Sequence, residues 1–434
     1  MGSVRKDPRI TRKLAVDGGP PVRKRPMPAD WPGGLWYDRE EVAAVTNVVR
    51  RRSPFRFYGP DVAGAVDAFE KGFARFVGCR YALAVNSGTG ALMAALAAFG
   101  VGPGQEVIVP GYMWIATAGS VVRLGAIPVL AEVDDSFTMD PEDLARKITP
   151  RTTVVIPVHM RGAPSDMASI LRVAREARGR GIRVLEDCAQ ASGGKFRGRP
   201  LGSWGDMGIY SFQLNKNMTT GEGGMLVAHD ASLYERAWSF HDLGFPREGG
   251  RLSEKGGAIL WGNGSRMTEM QGALGLVQLR KLPRIVAAMR RAKYRIRKGI
   301  ADLPGVRLRR IHDEKGDTGP ALITIHSSSD AAGRFAKALA AEGIHSMRVA
   351  NEGKHLYREM TNLVKKLSIS PDGFPWTHPA NAAGRAYSYA RGALPQTDAL
   401  FDASVVTFLS SKLTEADVAD TIVAYRKVAL ALGG

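Results

Sequence analysis

Between about residues 80 and 230, short apolar segments rich in β-branched residues alternate with longer segments of helical character. Seven of the short segments have the composition of strands: "YALAV" (81–85), "EVIVP" (106–110), "IPVLAEV" (127–133), "TTVVIPVH" (152–159), "IRVLEDC" (182–188), "MGIYSF" (207–212) and "GMLVAH" (224–229). Several are apolar at consecutive positions, which is typical of strands covered on both faces. The alternation predicts an α/β fold with a mostly parallel seven-stranded sheet flanked by helices, and ligand-binding groups at the carboxyl ends of the strands.

Helices are predicted between these strands. The segments with helical composition are "SGTGALMAALAAFG" (87–100), "IATAGSVVRLG" (115–125) and "SDMASILRVAREARGRG" (165–181). The third has apolar residues at helical spacing and stops at glycine.

The character of the chain changes after about residue 265. A long basic helical stretch (266–302) is followed by a weaker strand pattern, "PALITIHS" (320–327), and by the helix "DAAGRFAKALAAEG" (330–343). The tail is predicted to form an amphipathic helix with its N-terminus at Thr414. This part of the chain is therefore predicted to form a second α/β unit.

The length of the chain predicts more than one domain. A chain of 434 residues exceeds the roughly 250–300 residues at which a single core stops growing. We predict an N-terminal arm (1–40), a large domain that carries the site (41–290) and a smaller C-terminal domain (291–434). Stretches near 304–320 and 370–382 contain Pro and Gly and are predicted as loops.

The formal net charge of +18 would suit a nucleic-acid partner, but the Lys and Arg residues are scattered. The sequence shows no aromatic RNA-binding run, zinc-finger spacing or basic heptad. We therefore expect no nucleic-acid partner and no metal site, and the positive charge is better explained by solubility or by attraction of acidic small molecules.

The compartment is predicted from the cysteines and from the hydropathy. Cys79 and Cys188 form no CxxC pair and no disulfide framework, which favours a reducing compartment. The charged N-terminus has no apolar segment after it, and the most apolar window (91–100) has about half the length of a membrane span. We expect a soluble, cytoplasmic protein without a membrane partner.

The segment "VNSGTGAL" (85–92) runs from a strand through Ser87, Gly88 and Thr89 directly into a helix. The free backbone N–H groups and the positive end of that helix then point at one place, which suits a phosphate. The same residues could also form an ordinary capped turn.

The segment "VLEDCAQASGG" (184–194) closes an apolar strand with Glu186 and Asp187. Strand ends are wet, so a solvated pair of carboxylates is one interpretation. Alternation places the two side chains on opposite faces, so only one of them can face a pocket. A buried Asp needs a cation, and a protonated pyridine nitrogen would serve.

The segment "SFQLNKNMTTGEGG" (211–224) places Lys216 four residues after a strand, with Ser211 at the strand end and glycines behind it. A Lys beside a desolvated pocket can lose its proton and form an imine with an aldehyde. A phosphate cradle, a carboxylate at a strand end and a lysine after a later strand are the three anchors of pyridoxal phosphate (PLP). Lys216 is therefore predicted to be the Schiff-base lysine.

These motifs occur together with others in a fixed order. The others are "GPGQEVIVPGYMWIATA", "VIPVHMRGAPSDM", "RMTEMQGALGLVQL" and "LPQTDAL…LTEADV". Over roughly residues 35 to 430 the chain resembles the DegT/DnrJ/EryC1/StrS family of PLP-dependent sugar aminotransferases, which have the type I fold of aspartate aminotransferase.

The resemblance implies roles for individual residues. Lys216 resembles the lysine that bonds to the cofactor, Asp187 the partner of the pyridine nitrogen, Gln190 the donor to the ring hydroxyl, and Trp114 the aromatic that stacks on the ring. The phosphate cradle of the family is matched by Gly88 and Thr89, which follow Ser87, and by Ser211.

The resemblance also implies a homodimer, because in the family an Asn from the neighbouring subunit contacts the phosphate. That Asn normally stands two residues before the Arg of "RM". Here Gly264 occupies the position, and Asn263 lies one residue early, so Asn263 is the candidate for this contact.

The implied activity is a ping-pong transamination through PLP, with pyridoxamine phosphate as the intermediate form. Glutamate or glutamine would be the donor, and a keto-sugar, sugar acid or cyclitol the acceptor. Relatives with His in place of Lys216 catalyse dehydration, so Lys favours transamination. A dehydratase, an aminohydroxybenzoate-type synthase and a catalytically silent regulatory homologue remain as alternatives.

Overall fold

The computed structural model describes residues 7–177, 181–244 and 259–433. The strands, in chain order, are β1 Tyr81–Val85, β2 Glu106–Pro110, β3 Ile127–Ala131, β4 Thr152–Val155, β5 Arg183–Asp187, β6 Lys195–Phe196, β7 Arg199–Pro200, β8 Met207–Ser211, β9 Gly224–Ala228, β10 Arg307–Leu308, β11 Ala321–Ile325, β12 Ser346–Arg348 and β13 Ser404–Phe408. Residues 1–6 of the predicted arm, residues 178–180 at the end of the predicted helix 165–181, and residue 434 lie outside the described ranges.

The α-helices, in chain order, are α1 Arg39–Arg50, α2 Ala65–Val77, α3 Gly88–Ala98, α4 Ile115–Arg123, α5 Pro141–Lys147, α6 Met167–Glu176, α7 Ala231–His241, α8 Glu269–Ile300, α9 Ser329–Ala341, α10 Thr361–Val364, α11 Pro395–Asp402 and α12 Glu415–Leu432. Short 3₁₀ helices lie at Ala15–Asp17, Gly34–Trp36, Met160–Gly162, Val349–Asn351, Gly353–His355, Tyr357–Glu359 and Pro379–Ala386. None of the helices in the described ranges has the length and apolar character needed to cross a membrane.

The first sheet has seven strands in the order β1-β9-β8-β5-β4-β2-β3. The pairs β2–β3, β2–β4, β4–β5 and β5–β8 are parallel, whereas β9 is antiparallel to both β1 and β8. Each of the seven predicted strand segments contains one of these strands. The predicted α/β class and the mostly parallel seven-stranded sheet are therefore confirmed.

Helices cover both faces of this sheet, and the strands supply apolar side chains to each side in turn. On β1, Leu83 and Val85 belong to the core on one face, while Ala82 and Ala84 belong to the core on the other. Burial on both faces explains why these strands are apolar at consecutive positions.

The long helix α8 joins the first sheet to the rest of the chain. Thr268 caps its N-terminus and forms a capping box with Gln271, and the helix continues through Pro283. Its first half packs in the core of the first sheet and its second half in a separate core around the second sheet. Residue 290 lies inside this helix, and the domain boundaries at residues 40 and 290 stay predictions.

The second sheet is antiparallel, in the order β10-β11-β13-β12, and α9 and α12 pack on its core. The predicted strand 320–327 contains β11, and Thr414 caps α12, as predicted, by accepting from the Asp417 amide. The stretches predicted as loops are largely irregular, but they also include β10 and the first turn of the 3₁₀ helix Pro379–Ala386.

Candidate active site

A cavity of about 400 Å³ lies at the carboxyl ends of β5 and β8, beside the first turn of α3. Eight of the nine site residues predicted from the sequence line it: Ser87, Gly88, Thr89, Trp114, Asp187, Gln190, Ser211 and Lys216. Asn263 does not line the cavity of its own chain.

The first turn of α3 forms the end of the cavity that suits a phosphate. Ser87 caps the helix, and its hydroxyl accepts a hydrogen bond from the Gly90 amide at 3.0 Å. A Cβ at position 88 would lie 2.8 Å from the Cβ of Ser211, so only glycine allows this close approach to the end of β8. The amides of Gly88 and Thr89 have no intrahelical partners, because they belong to the first turn. Together with the Ser211 hydroxyl they form an anion-binding set.

Asp187 ends β5 and is 3% exposed. Its carboxylate accepts hydrogen bonds from the Thr117 hydroxyl at 2.8 Å and from the Ala189 amide at 3.0 Å. Burial raises the pKa of Asp187 above its ordinary value, although these two donors and the charge of Lys216 oppose the shift. A cation beside Asp187 would therefore stabilise the ionised form of its carboxylate.

Glu186 faces away from the cavity and has a structural role. Its carboxylate accepts from the backbone amides of Gly202, Trp204 and Gly205 at 2.6–2.8 Å, and it lies 3.2 Å from Nε2 of His159. The potential ligand atoms of His159, Glu186 and Cys188 lie within 4.8 Å of one another. These hydrogen bonds occupy the Glu186 oxygens, so the cluster is accounted for without a metal.

Lys216 lies in the loop between β8 and β9. Its amide donates to the Gln213 carbonyl at 3.0 Å, and its carbonyl accepts from the amide of Gly33 at 3.1 Å. Its Nζ makes no hydrogen bond or ion pair with any residue in the described ranges. Burial lowers the pKa of Lys216 to about 8, and the positive charge of Arg161 acts in the same direction, whereas Asp187 opposes both.

These groups fit PLP. The amides and hydroxyl at the α3 end suit its phosphate, the buried Asp187 carboxylate suits its protonated ring nitrogen, and the amine of Lys216 suits its aldehyde. The lowered pKa of Lys216 means that a neutral amine, the form that reacts with an aldehyde, is accessible near neutral pH.

Thr117, Arg161 and His355 are among the further residues that line the cavity and were not predicted. Thr117 positions Asp187, Arg161 follows the end of β4, and His355 comes from the second half of the chain. The rings of Trp114 and His355 lie 4.9 Å apart between centroids. Burial, together with the charges of Arg161 and Lys216, lowers the pKa of His355 to about 3, so its imidazole is neutral.

A signal for two of these residues was present in the sequence. Thr117 and Arg161 lie inside motifs that the family resemblance already marked, "GYMWIATA" and "VIPVHMRGAPSDM". His355 lies in "NEGKHLYREM", where no pattern of charge or hydropathy indicates a site.

Asn263 lies in an irregular segment before α8, which contacts the chain at the end of β1 where the Asn86 amide donates to the Ser265 carbonyl at 2.8 Å. Its amide donates to the Phe240 carbonyl at 2.9 Å, and the amide of Gly264, whose φ is 66°, donates to the Asp242 carbonyl at 2.8 Å. The side chain of Asn263 is exposed. The position is therefore accessible to a second subunit.

The fold and the cavity together define a PLP-dependent enzyme of fold type I. The model of the DegT/DnrJ/EryC1/StrS aminotransferase family matches residues 37–372, and the chain belongs to this family. It is an aminotransferase that uses PLP.

Curated relatives carry the names of sugar and cyclitol enzymes. The chain is 35% identical over 297 residues to a putative L-glutamine:3-amino-2,3-dideoxy-scyllo-inosose aminotransferase of Streptoalloteichus tenebrarius, with 68% of each chain covered. It is 42% identical over 224 residues to the GDP-perosamine synthase of Caulobacter vibrioides, with 51% of this chain and 58% of the relative covered.

Solved structures share the fold over nearly the whole chain. A 3-amino-5-hydroxybenzoic acid synthase is 27% identical, with a TM-score of 0.74, and the comparison covers 94% of this chain and 100% of that one. DesI, solved in the presence of its TDP-sugar product, is 28% identical, with a TM-score of 0.74 and 96% of each chain covered.

Proposed function

We propose that this aminotransferase moves an amino group from glutamate or glutamine to a carbonyl of a sugar, sugar acid or cyclitol, in two half-reactions at one cavity. The observation that carries the proposal is the position of Lys216. Its amine, with a pKa lowered to about 8, lines the same cavity as Asp187 and the first turn of α3. The names of the curated relatives support the substrate classes.

When bound, PLP supplies an aldehyde that bonds to amines and a ring that withdraws electrons from the reacting carbon. The amides of Gly88 and Thr89 and the hydroxyl of Ser211 hold its phosphate. Asp187 keeps a proton on its ring nitrogen, and the Thr117 hydroxyl fixes the orientation of that carboxylate.

Two further side chains hold the ring. Trp114, which is 41% exposed, lines the cavity, and we assign it to stacking on the ring. Gln190 lies between the Arg161 amide, at 3.1 Å, and Nε2 of His355, at 3.3 Å. We assign its side-chain amide to the ring hydroxyl.

Lys216 carries the proton in both half-reactions. An ordinary Lys is almost fully charged at pH 7, whereas a pKa of about 8 leaves roughly a tenth of the side chains neutral. In each half-reaction the neutral amine would move one proton between the substrate carbon and the aldehyde carbon (C4′) of the cofactor, from the donor to C4′ in the first and from C4′ to the acceptor in the second.

The second candidate function is that of an aminohydroxybenzoate-type synthase. The 3-amino-5-hydroxybenzoate synthase of Amycolatopsis mediterranei is 36% identical over 269 residues, with 62% of this chain and 66% of the relative covered. A dehydratase or a silent regulatory homologue is less well supported, since Lys216 is retained in the cavity.

We propose that the working unit is a cytoplasmic homodimer without a nucleic-acid or membrane partner. Trp261 is 94% exposed and Ile259 is 44% exposed, and both precede Asn263 in the irregular segment before α8. Exposed apolar side chains are typical of a surface that packs against another subunit. Here they lie close to Asn263, the candidate for contact with the phosphate in the neighbouring subunit. Cys79 and Cys188 are buried and free, in keeping with a reducing compartment.

The proposal is tested by following the two half-reactions separately. Glutamate or glutamine should bleach the visible absorbance of the PLP-bound protein, and a keto-sugar, keto-cyclitol or sugar aldehyde from a panel should restore it and become aminated. A synthase of the second kind would release an aromatic product, and a dehydratase would yield no aminated product.

Lys216→Ala provides the control for the assignment of the lysine. Borohydride should fix the cofactor to the parent protein at Lys216 and should not fix it to the variant, whereas Lys71→Ala, at an exposed position on α2, should behave like the parent. Transamination by Lys216→Ala near the parent rate would refute the assignment.

A further inference from the structure

Arg161 lines the cavity from the turn that follows β4, and its backbone is in the left-handed region with φ at 55°. Non-glycine residues rarely adopt this conformation. Here the Arg161 amide donates to Oε1 of Gln190 at 3.1 Å. The next residue is Gly162, where a Cβ would lie 2.1 Å from Oγ1 of Thr318. The surrounding chain therefore holds Arg161 in a strained conformation, and such strain is concentrated at functional sites.

Two neighbouring side chains position the guanidinium of Arg161, Glu352 at one edge and Phe408 at one face. Its Nη2 lies 2.7 Å from a carboxylate oxygen of Glu352, whose other oxygen accepts from the Tyr112 hydroxyl. Its Cζ lies 5.1 Å from the ring centroid of Phe408. The Glu352 side chain is 1% exposed and the Arg161 side chain 16%. Glu352 is thus shielded from solvent, whereas Arg161 is partly exposed and lines the cavity.

The Arg161 guanidinium also keeps unused donor capacity. Its Nε is buried and has no hydrogen-bond partner in the described ranges. Burial disfavours the charge, but Glu352 and Tyr112 more than offset this and raise the pKa of Arg161 above its ordinary value. The cavity is therefore lined by a permanent cation whose ion pair in the described ranges, with Glu352, engages only one Nη.

The proposed function does not yet give the Arg161 cation a role among the charged groups of the cavity. Among the described residues that line it, Arg161 and Lys216 are cationic, and Asp187 and Glu222 are anionic. The proposed function assigns Lys216 to the cofactor aldehyde and Asp187 to the ring nitrogen. An amino-acid donor brings a carboxylate into the cavity, and so does a sugar acid. A carboxylate moved out of water needs a charged, hydrogen-bonding partner.

We propose that Arg161 binds a substrate carboxylate. This inference rests on the proposed function and adds the residue that recognises the charged group of the substrate. A guanidinium presents parallel N–H donors that match a carboxylate, and an Arg already fixed on one edge loses little freedom on binding. The neighbouring His355 does not compete for the anion, because its imidazole is neutral.

The variants separate recognition from support of the fold. Arg161→Gln removes the cation but leaves Glu352 buried without its partner. The double variant Arg161→Gln with Glu352→Gln removes both charges and keeps two amides that can pair. Arg197→Gln is the matched control. Arg197 has φ at 48° and lies 5.1 Å over the ring of Phe196, but it is exposed and does not line the cavity.

The first readout is binding without turnover. Succinate, a dicarboxylate that cannot react, is titrated into the PLP-bound parent and variants by calorimetry. A charge-assisted hydrogen bond corresponds to roughly a 10- to 100-fold change in affinity. We expect a loss of this size in the single and double variants and parent-like affinity in Arg197→Gln. Unchanged succinate affinity in the double variant would overturn the proposal.

The second readout identifies which substrate supplies the carboxylate. The first half-reaction is measured with glutamate and with 1-phenylethylamine, which lacks a carboxylate, and the second with a ketouronic acid and the matching neutral keto-sugar. A raised KM for glutamate alone assigns the donor carboxylate, and a raised KM for the ketouronic acid alone assigns the acceptor carboxylate. An equal loss on the substrates without a carboxylate would contradict the inference. If the parent aminates no acceptor, the proposed function fails, and succinate binding still tests Arg161.

Discussion

Replacing Lys216 with Met should stabilise the cofactor-free protein at neutral pH. Lys216 places an ammonium group in a cavity where burial lowers its pKa from 10.5 to about 8. The native state therefore holds the charged side chain less favourably than the unfolded chain does. Met has a similar length and carries no charge, so the variant removes this penalty while still filling the space.

The size of the effect follows from the shift in pKa. Each unit corresponds to 1.36 kcal/mol, so a shift from 10.5 to about 8 sets a ceiling of about 3 kcal/mol. Water in the open cavity solvates part of the ammonium group, and we expect roughly half of the ceiling. The penalty is fully present below pH 8, where both states are protonated. It declines as the pH rises from 8 to 10.5 and is absent above that range, where both states are neutral.

The assay is urea unfolding of the cofactor-free proteins at pH 7, 9 and 10.5. Cofactor must be absent, since its binding would stabilise only the parent. Lys216→Met should exceed the parent in free energy of unfolding by about 1.5 kcal/mol at pH 7, with the difference shrinking towards pH 10.5. Lys71→Met, at an exposed position, should show no such trend. A Lys216→Met protein that is less stable than the parent at pH 7, or a difference that does not vary with pH, would refute the reasoning.

Three further predictions concern the cofactor and the subunit contact. Asp187→Asn keeps an acceptor for the Ala189 amide and should retain the cofactor. The half-reaction with glutamate should nevertheless slow by roughly 10- to 100-fold, because a charged hydrogen bond is lost. An unchanged rate would show that Asp187 does not hold the ring nitrogen. Gly88→Ala should weaken PLP binding in a fluorescence titration, because the new Cβ would lie 2.8 Å from the Cβ of Ser211. Gly119→Ala on α4, where no atom lies within 4 Å of the new Cβ, should bind like the parent, and equal affinities of the two variants would count against the cradle. Trp261→Glu should shift the mass in solution, measured by light scattering, from dimer towards monomer, since Trp261 is 94% exposed in the single chain; a parent of monomeric mass with cofactor bound and activity intact would contradict the homodimer.

Much of the fold could be predicted because its signals are local. The predicted segments 81–85 and 106–110 match β1 and β2 at both ends, since runs of consecutive apolar residues mark strands buried on both faces. Thr414 was found as a helix start because a capping residue acts on its own helix. The antiparallel direction of β9 could not be predicted, because it depends on which strands become neighbours in space.

The residues of the candidate site likewise divide into those marked by local sequence signals and those that depend on contacts between distant segments. Asp187 and Gly88 stand at a strand end and a helix start that the sequence marks, and Lys216 lies in the loop after a marked strand. The role of Asn263 depends on a second subunit and stays a prediction. His355 reaches the cavity only because the second half of the chain folds back over Met113, whose amide donates to the His355 carbonyl at 3.0 Å. No spacing along the sequence predicts a contact over such a distance.

The contact between Gly33 and Lys216 has a practical consequence for recombinant work. The family match begins at residue 37, which would be a natural place to cut a shortened gene. Gly33, however, donates to the Lys216 carbonyl and packs so closely that a Cβ would lie 2.7 Å from Cα of Met218. The preceding Pro32 carbonyl accepts from the hydroxyl of Ser411 at 2.9 Å, which ties the same segment to the end of the second sheet. A fragment trimmed to the family boundary would lose the support beneath its reactive lysine, so any purification tag should be placed before this segment rather than in place of it.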